Sequence, residues 1–179
     1  MQKNNGLFGC GAMRVAAGLS QKRETINILS NGDFHTGDLT GWNDYGGNAV
    51  VLLNQPVGGK TLNVIHFQTV NEGYIGSDSG PTEDLFSSVG LNVGDVCNLK
   101  LSFWYKSLVA TANPTINIAG ITPAEEGTHD YLLAPSTGWR FCERILSGVV
   151  VSGPQVAILV MGTQLMTLEW FADFKIVRV

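Results

Sequence analysis

Residues 99–108, Leu99-Lys100-Leu101-Ser102-Phe103-Trp104-Tyr105-Lys106-Ser107-Leu108, repeat with a period of two. Leu99, Leu101, Phe103 and Tyr105 fall on one side of an extended chain, and Lys100, Ser102, Trp104 and Lys106 on the other, because successive strand side chains point to opposite faces. In a helix both sets would be scattered around the axis. The stretch predicts a β-strand whose first row faces a core, with Trp104 as the one large apolar group in the outward row.

The segments around it follow the same short pattern. Extended runs are predicted at residues 26–29, 49–53, 62–69, 84–89, 97–108, 115–119, 130–133, 139–151, 155–161 and 168–179. Turn formers separate them: Asn31-Gly32-Asp33, Gly58-Gly59, Asp78-Ser79-Gly80-Pro81, Asn92-Val93-Gly94-Asp95, Pro135-Ser136-Thr137-Gly138 and Gly153-Pro154. In the last run Trp170, Ala172, Phe174 and Ile176 alternate with Phe171, Asp173, Lys175 and Val177, and both rows contain apolar residues. That strand is expected to be covered on both sides. Nine or ten short strands without a helix of ordinary length predict an all-β fold, a two-sheet antiparallel β-sandwich.

Composition narrows the function classes. The chain has 179 residues, 44% hydrophobic and only 15% charged, enough for one self-sufficient core. With 11 Lys+Arg against 15 Asp+Glu the formal charge is -4, and no basic stripe is long enough to follow a phosphate backbone, so nucleic acid is not the expected partner. The best apolar run, residues 149–161, is interrupted by Ser152, Gly153, Pro154 and Gln155 and falls short of the roughly 20 residues of a membrane span, so no membrane insertion is expected. Residues 1–25 have a different character, with Lys3, Arg14, Lys22 and Arg23 against the single acidic residue Glu24 and many small residues. They are expected to form an extended N-terminal arm ahead of a domain at 26–179. Lys3, Phe8, Arg14, Lys22 and Arg23 are its candidate assembly contacts. Only polar residues and Met1 precede Leu7-Phe8-Gly9-Cys10, so neither a signal peptide nor a lipidation box is read there.

Residues able to carry chemistry are sparse. His35, His66 and His129 have no local partner at zinc spacing, and His66 shares a strand row with Leu62 and Val64, which favours a packed histidine. Glu125 and Glu126 are adjacent, so on a strand they would point apart, and no Gly-x-Ser-x-Gly elbow is present. Cys10, Cys97 and Cys142 leave one thiol over under any internal pairing; buried free thiols are the favoured reading and a disulfide the alternative. A non-catalytic protein is expected, with no cofactor required. Trp42 and Trp139, each preceded by glycine, are expected to plug the ends of the sandwich. Trp104, Tyr74 and Tyr45 are the candidate sugar-binding aromatics, since flat apolar rings beside polar groups suit a sugar ring.

The stretch NGDFHTGDLTGW, residues 31–42, resembles the N-terminal signature of jelly-roll carbohydrate-binding modules in the xylan-, glucan- and cellulose-binding superfamily, within the galactose-binding-like β-sandwich group. LKLSFWYK, the Gly138-Trp139-Arg140 strand start and the terminal WFADFKIV follow in the same order. The resemblance implies a jelly roll with its first and last strands close together. It also implies a structural calcium near those termini, to which Asp33 and Asp173 are the candidate ligands. Two positions depart from the pattern: His35 stands where an acidic residue usually follows Asp-Phe, and Ala172 precedes Asp173 where a pair of aspartates is common. Similar jelly rolls occur in bacteriophage particles as capsid decorations or tail proteins, which leave the cell by lysis. The favoured function is therefore a structural, interaction protein of a large assembly on a virion surface, a homo-oligomer whose partners are other subunits of that assembly. The alternatives are a free-standing carbohydrate-binding module, extracellular after lysis, and, less favoured, a hydrolase acting on glycosides.

Overall fold

The computed structural model describes residues 26–44, 49–67, 74–77, 86–107, 115–119, 121–122, 131–134, 136–153, 157–161 and 169–179. Among them run eleven strands: β1 (Asn43–Asp44), β2 (Ala49–Val57), β3 (Lys60–Phe67), β4 (Tyr74–Ser77), β5 (Val96–Ser107), β6 (Thr115–Ala119), β7 (Ile121–Thr122), β8 (Tyr131–Leu132), β9 (Arg140–Val151), β10 (Ala157–Met161) and β11 (Glu169–Arg178). They build a five-stranded sheet in the order β1-β4-β10-β6-β8 and a six-stranded sheet in the order β2-β3-β11-β5-β9-β7. Neighbouring strands are antiparallel. The fold is the two-sheet antiparallel β-sandwich that the strand pattern predicts.

The alternating row of β5 behaves as its period requires. Leu99, Leu101, Phe103 and Tyr105 are all buried in one core, with Phe67, Phe171, Phe174, Ile176 and Leu146. The rings of Phe103 and Phe174 stack at 5.1 Å, and Phe171 lies 5.8 Å from Phe174. Apolar area removed from water at roughly 25 cal/mol per Å² makes such a cluster the main source of stability.

Phe171, Phe174 and Ile176 share that core, which strict alternation along the last strand does not allow. β11 advances three residues from Ala172 to Lys175 while β5 advances two, from Trp104 to Ser102. The extra residue is a β-bulge, and Asp173 sits there at φ +55°. Trp170 and Ala172 therefore belong to the outer face, and the single row expected for Trp170, Ala172, Phe174 and Ile176 is split in two.

The segment ahead of β1 explains where the bulge comes from. Past Ala172, β11 no longer pairs with β3. Residues 27–32 take over instead: Phe174 N donates to Gly32 O at 2.8 Å and Ile28 N to Ile176 O at 2.8 Å. The Asn27 side chain donates to Phe174 O and accepts from Ile176 N. Residues 26–29 thus run along β11 without forming a regular strand, which corrects the strand expected there. Residues 86–89, also expected to be extended, form a turn and a 3-10 helix at Ser87–Val89. The short strands β1, β4 and β7 were not anticipated.

Residues 31–42 close one end of the sandwich. Phe34 and Trp42 are buried, 5.2 Å apart, and each packs on Phe174. Trp42 Nε1 donates to Asn31 O, while the Asn31 amide donates to Asp38 O and Thr40 O and its Oδ1 accepts from Thr36 N. Trp42 is the expected plug.

Candidate binding face

The outer face of the six-stranded sheet is assembled by register. One transverse row reads Leu52, Val64, Ala172, Trp104, Phe141, and the next outward row reads Val50, His66, Trp170, Lys106. Two bulges lie just beyond the first row, at Asp173 in β11 and between Leu52 and Gln55 in β2, where Asn54 has φ +54°. Bulges bend the strands that carry them. The β2–β3 hairpin accordingly reaches over the outer face, where Val57, Val64 and Ala172 are fully buried together, packed by Leu62, Trp104, Trp139 and Trp170. The sheet is covered on both sides here, as the two apolar rows of the last strand suggest.

Gly58 and Gly59 turn the hairpin at φ +55° and +82°, values that glycine tolerates in a two-residue turn. A Cβ on Gly58 would fall 2.1 Å from Cη2 of Trp104, so the turn rests directly on the indole. The other neighbour of Trp104 is Phe141, 5.2 Å away and 51% exposed. The indole N–H of Trp104 is buried and has no hydrogen-bond partner among the described residues. Trp104 is on the outward row as expected, but beneath the hairpin.

Beside the hairpin the face is aromatic and cationic. His66 stacks on Trp170 at 4.6 Å with the planes 8° apart. Lys106 Nζ lies 4.5 Å from the Trp170 centroid and 5.0 Å from that of Trp139, within the range of cation–π attraction. Trp139 and Trp170 are both half-buried. Trp139 thus belongs to this face; it does not plug an end of the sandwich, because the strand start at Arg140 holds it beside Lys106. His66 is the packed strand histidine that its row suggests.

Of the other candidate aromatics, Tyr74 belongs by its backbone to β4, in the opposite sheet, so it shares no face with Trp104. Tyr45 lies outside the described residues, as do Lys3, Phe8, Arg14, Lys22 and Arg23. Trp170, Lys106 and Phe141 are the face residues that the strand pattern did not single out. Lys106 had a visible signal, since it shares the outward row of residues 99–108 with Trp104.

Asp33 and Asp173, the candidate calcium ligands, each hold a cation or donor of their own. Asp33 Oδ1 lies 2.7 Å from His35 Nδ1, and Asp173 Oδ1 lies 2.7 Å from Lys175 Nζ. Calcium asks for six to eight oxygens. Among the described residues no group of three or more His, Cys, Asp and Glu comes together. These two carboxylates alone do not make such a shell. Cys97 and Cys142 are free thiols, opposite Val149 and Phe103 respectively in the β5–β9 ladder. Burial pushes both thiols up from their ordinary range. Cys10 lies outside the described residues.

No protein-family model and no curated protein matches the sequence. Solved structures do match. A Family 16 carbohydrate-binding module superposes with a TM-score of 0.59 at 13% identity, over 84% of this chain and 99% of its own. TmCBM61, solved in complex with β-1,4-galactotriose, gives a TM-score of 0.53 at 14% identity, over 87% of this chain and 100% of its own. The enzymatically active domain of bacteriophage CBA120 tailspike protein 4 gives 0.59 at 13% identity, over 86% of this chain and 22% of that one. These likenesses establish the fold: this chain has the jelly-roll sandwich found in carbohydrate-binding modules.

Proposed function

We propose that the chain is a non-catalytic carbohydrate-binding module that takes a glycan against the outer face of its six-stranded sheet. The observation that carries this reading is the pair of half-exposed indoles, Trp139 and Trp170, set on either side of Lys106. Flat apolar rings with a polar group between them match a sugar ring, whose C–H faces are apolar and whose edge is polar. The fold, shared with a module solved in complex with β-1,4-galactotriose, agrees with this use. Affinity electrophoresis against a panel of soluble polysaccharides tests it. Trp139→Ala and Trp170→Ala should each weaken retardation about tenfold or more, as loss of an aromatic anchor does, without loss of the folded baseline. Unchanged retardation in both variants would move the site off this face.

A second reading has its own support. The tailspike match places the same fold inside a bacteriophage tail protein. We propose on that ground that the module operates at a virion surface, as a tail or capsid-decoration protein, with residues 1–25 as its attachment to neighbouring subunits. On this reading glycan binding is attachment to a host surface. The test is co-sedimentation with particles of the full chain and of a chain lacking residues 1–25; binding that survives the deletion counts against the arm.

A further inference from the structure

Two of the three lysines that β5 and β11 contribute to the outer face are paired with carboxylates, and the third is not. β5 and β11 carry three lysines, Lys100, Lys106 and Lys175. Lys100 Nζ is 3.3 Å from Glu143 Oε2, and Lys175 Nζ is 2.7 Å from Asp173 Oδ1. Lys106 has no carboxylate at ion-pair distance among the described residues; its ammonium group is held between Trp139 and Trp170 instead. Two indole faces hold the ammonium in place, and no carboxylate among the described residues pairs with it. A neutral sugar needs no such charge, and a lysine between two stacking rings costs side-chain entropy to hold.

We infer that the glycan selected by this face is anionic: a polysaccharide bearing uronic acid residues, whose carboxylate pairs with Lys106 while its pyranose ring lies against Trp139. This rests on the carbohydrate-binding reading above and narrows it to a substrate class. A uronate offers both chemistries on one ring, a carboxylate at C5 and an apolar C–H face, and so fits a cation flanked by aromatic planes. An acidic peptide offers the carboxylate on a flexible chain without a flat ring face for the indoles. Ammonium–carboxylate pairing is a charge-assisted contact, stronger than a neutral hydrogen bond.

The experiment uses the full chain. Binding is measured by calorimetry and affinity electrophoresis to polygalacturonate, alginate and glucuronoxylan, each beside its carboxyl-reduced form, with poly-L-glutamate as the non-sugar acid. At least one uronate polymer should bind about tenfold more tightly than its carboxyl-reduced form, and added salt should weaken the binding. Lys106→Met, which keeps an unbranched stem between the indoles, should lose that preference, and Lys106→Arg should retain it; thermal melts confirm that both are folded. Equal binding of acidic and reduced polymers would overturn the uronate assignment while leaving the carbohydrate-binding reading intact. Binding to poly-L-glutamate alone would replace the sugar with an acidic peptide, and binding to none would overturn both readings. Should Lys106→Met fail to fold, the comparison of acidic with reduced polymers on the unaltered chain still decides.

Discussion

Gly58 touches the edge of Trp104 because it has no side chain, and its φ of +55° places it where a side chain would also strain the backbone. The next residue separates the two effects. Gly59 has φ +82°, but nothing lies within 4 Å of where its Cβ would be. Gly59→Ala should therefore cost only the left-handed backbone penalty, about 1 kcal/mol. Gly58→Ala adds displacement of the indole and should cost about 2–3 kcal/mol in all. Urea denaturation of both variants measures the difference, and equal costs would mean that the turn does not rest on Trp104. At this scale Trp104 could be assigned an outward direction from its place in residues 99–108, but the Gly58 contact could not be, since it joins residues 46 positions apart.

The loop at residues 31–42 is an element held largely by polar contacts around two buried rings. Its carboxylates accept backbone hydrogen bonds, His35 N to Asp33 Oδ1 and Thr40 N to Asp38 Oδ1. Burial alone would push the Asp33 carboxyl up, but the side-chain and backbone hydrogen bonds from His35 outweigh it and hold it below its ordinary value. Hydrogen bonds from the Thr40 side chain and backbone and from Thr36 do the same for Asp38. A carboxylate depressed on folding contributes stability that is complete above its unfolded value of 3.8 and is lost as pH falls through the lower folded value. Both groups lie largely at the surface, so the effect on global stability is small and the effect on the loop is local. Hydrogen exchange, corrected for intrinsic rates, should show protection at His35 and Thr40 falling as the pH is taken below 3.8 while β5 keeps its own. Asp33→Asn and Asp38→Asn should flatten that dependence; an unchanged profile would mean that these carboxylates do not hold the loop.

For the whole molecule the open question of role reduces to mass. Light scattering on the full chain and on a chain lacking residues 1–25 distinguishes an assembly subunit from an independent module. An arm-dependent species well above 19.2 kDa supports the virion reading, and a monomer in both cases supports a free-standing module. The proposed glycan face is compatible with either, because the residues that define it lie on the strands of the sandwich. Its composition also shows how far strand patterns reach. Trp104 and Lys106 come from one strand and share a row by simple alternation, whereas Trp170 comes from β11 and Trp139 from the start of β9. Their approach to Lys106 depends on antiparallel registers that no local signal states.

The all-β architecture, the core row of β5 and the Gly58-Gly59 turn were all determined by the sequence locally, since each follows from side-chain alternation or from glycine's access to positive φ. Tertiary structure alone decided the face of Trp170. Pairing of residues 27–32 with the end of β11 accompanies the bulge at Asp173, and one extra residue reverses which side every later side chain faces. The same long-range pairing ends β3's contact at Ala172, and the bent hairpin then covers Trp104 while Trp139, Trp170 and Lys106 stay partly open. Periodicity specifies which residues can share a face; only the register between strands distant in sequence specifies which of them meet.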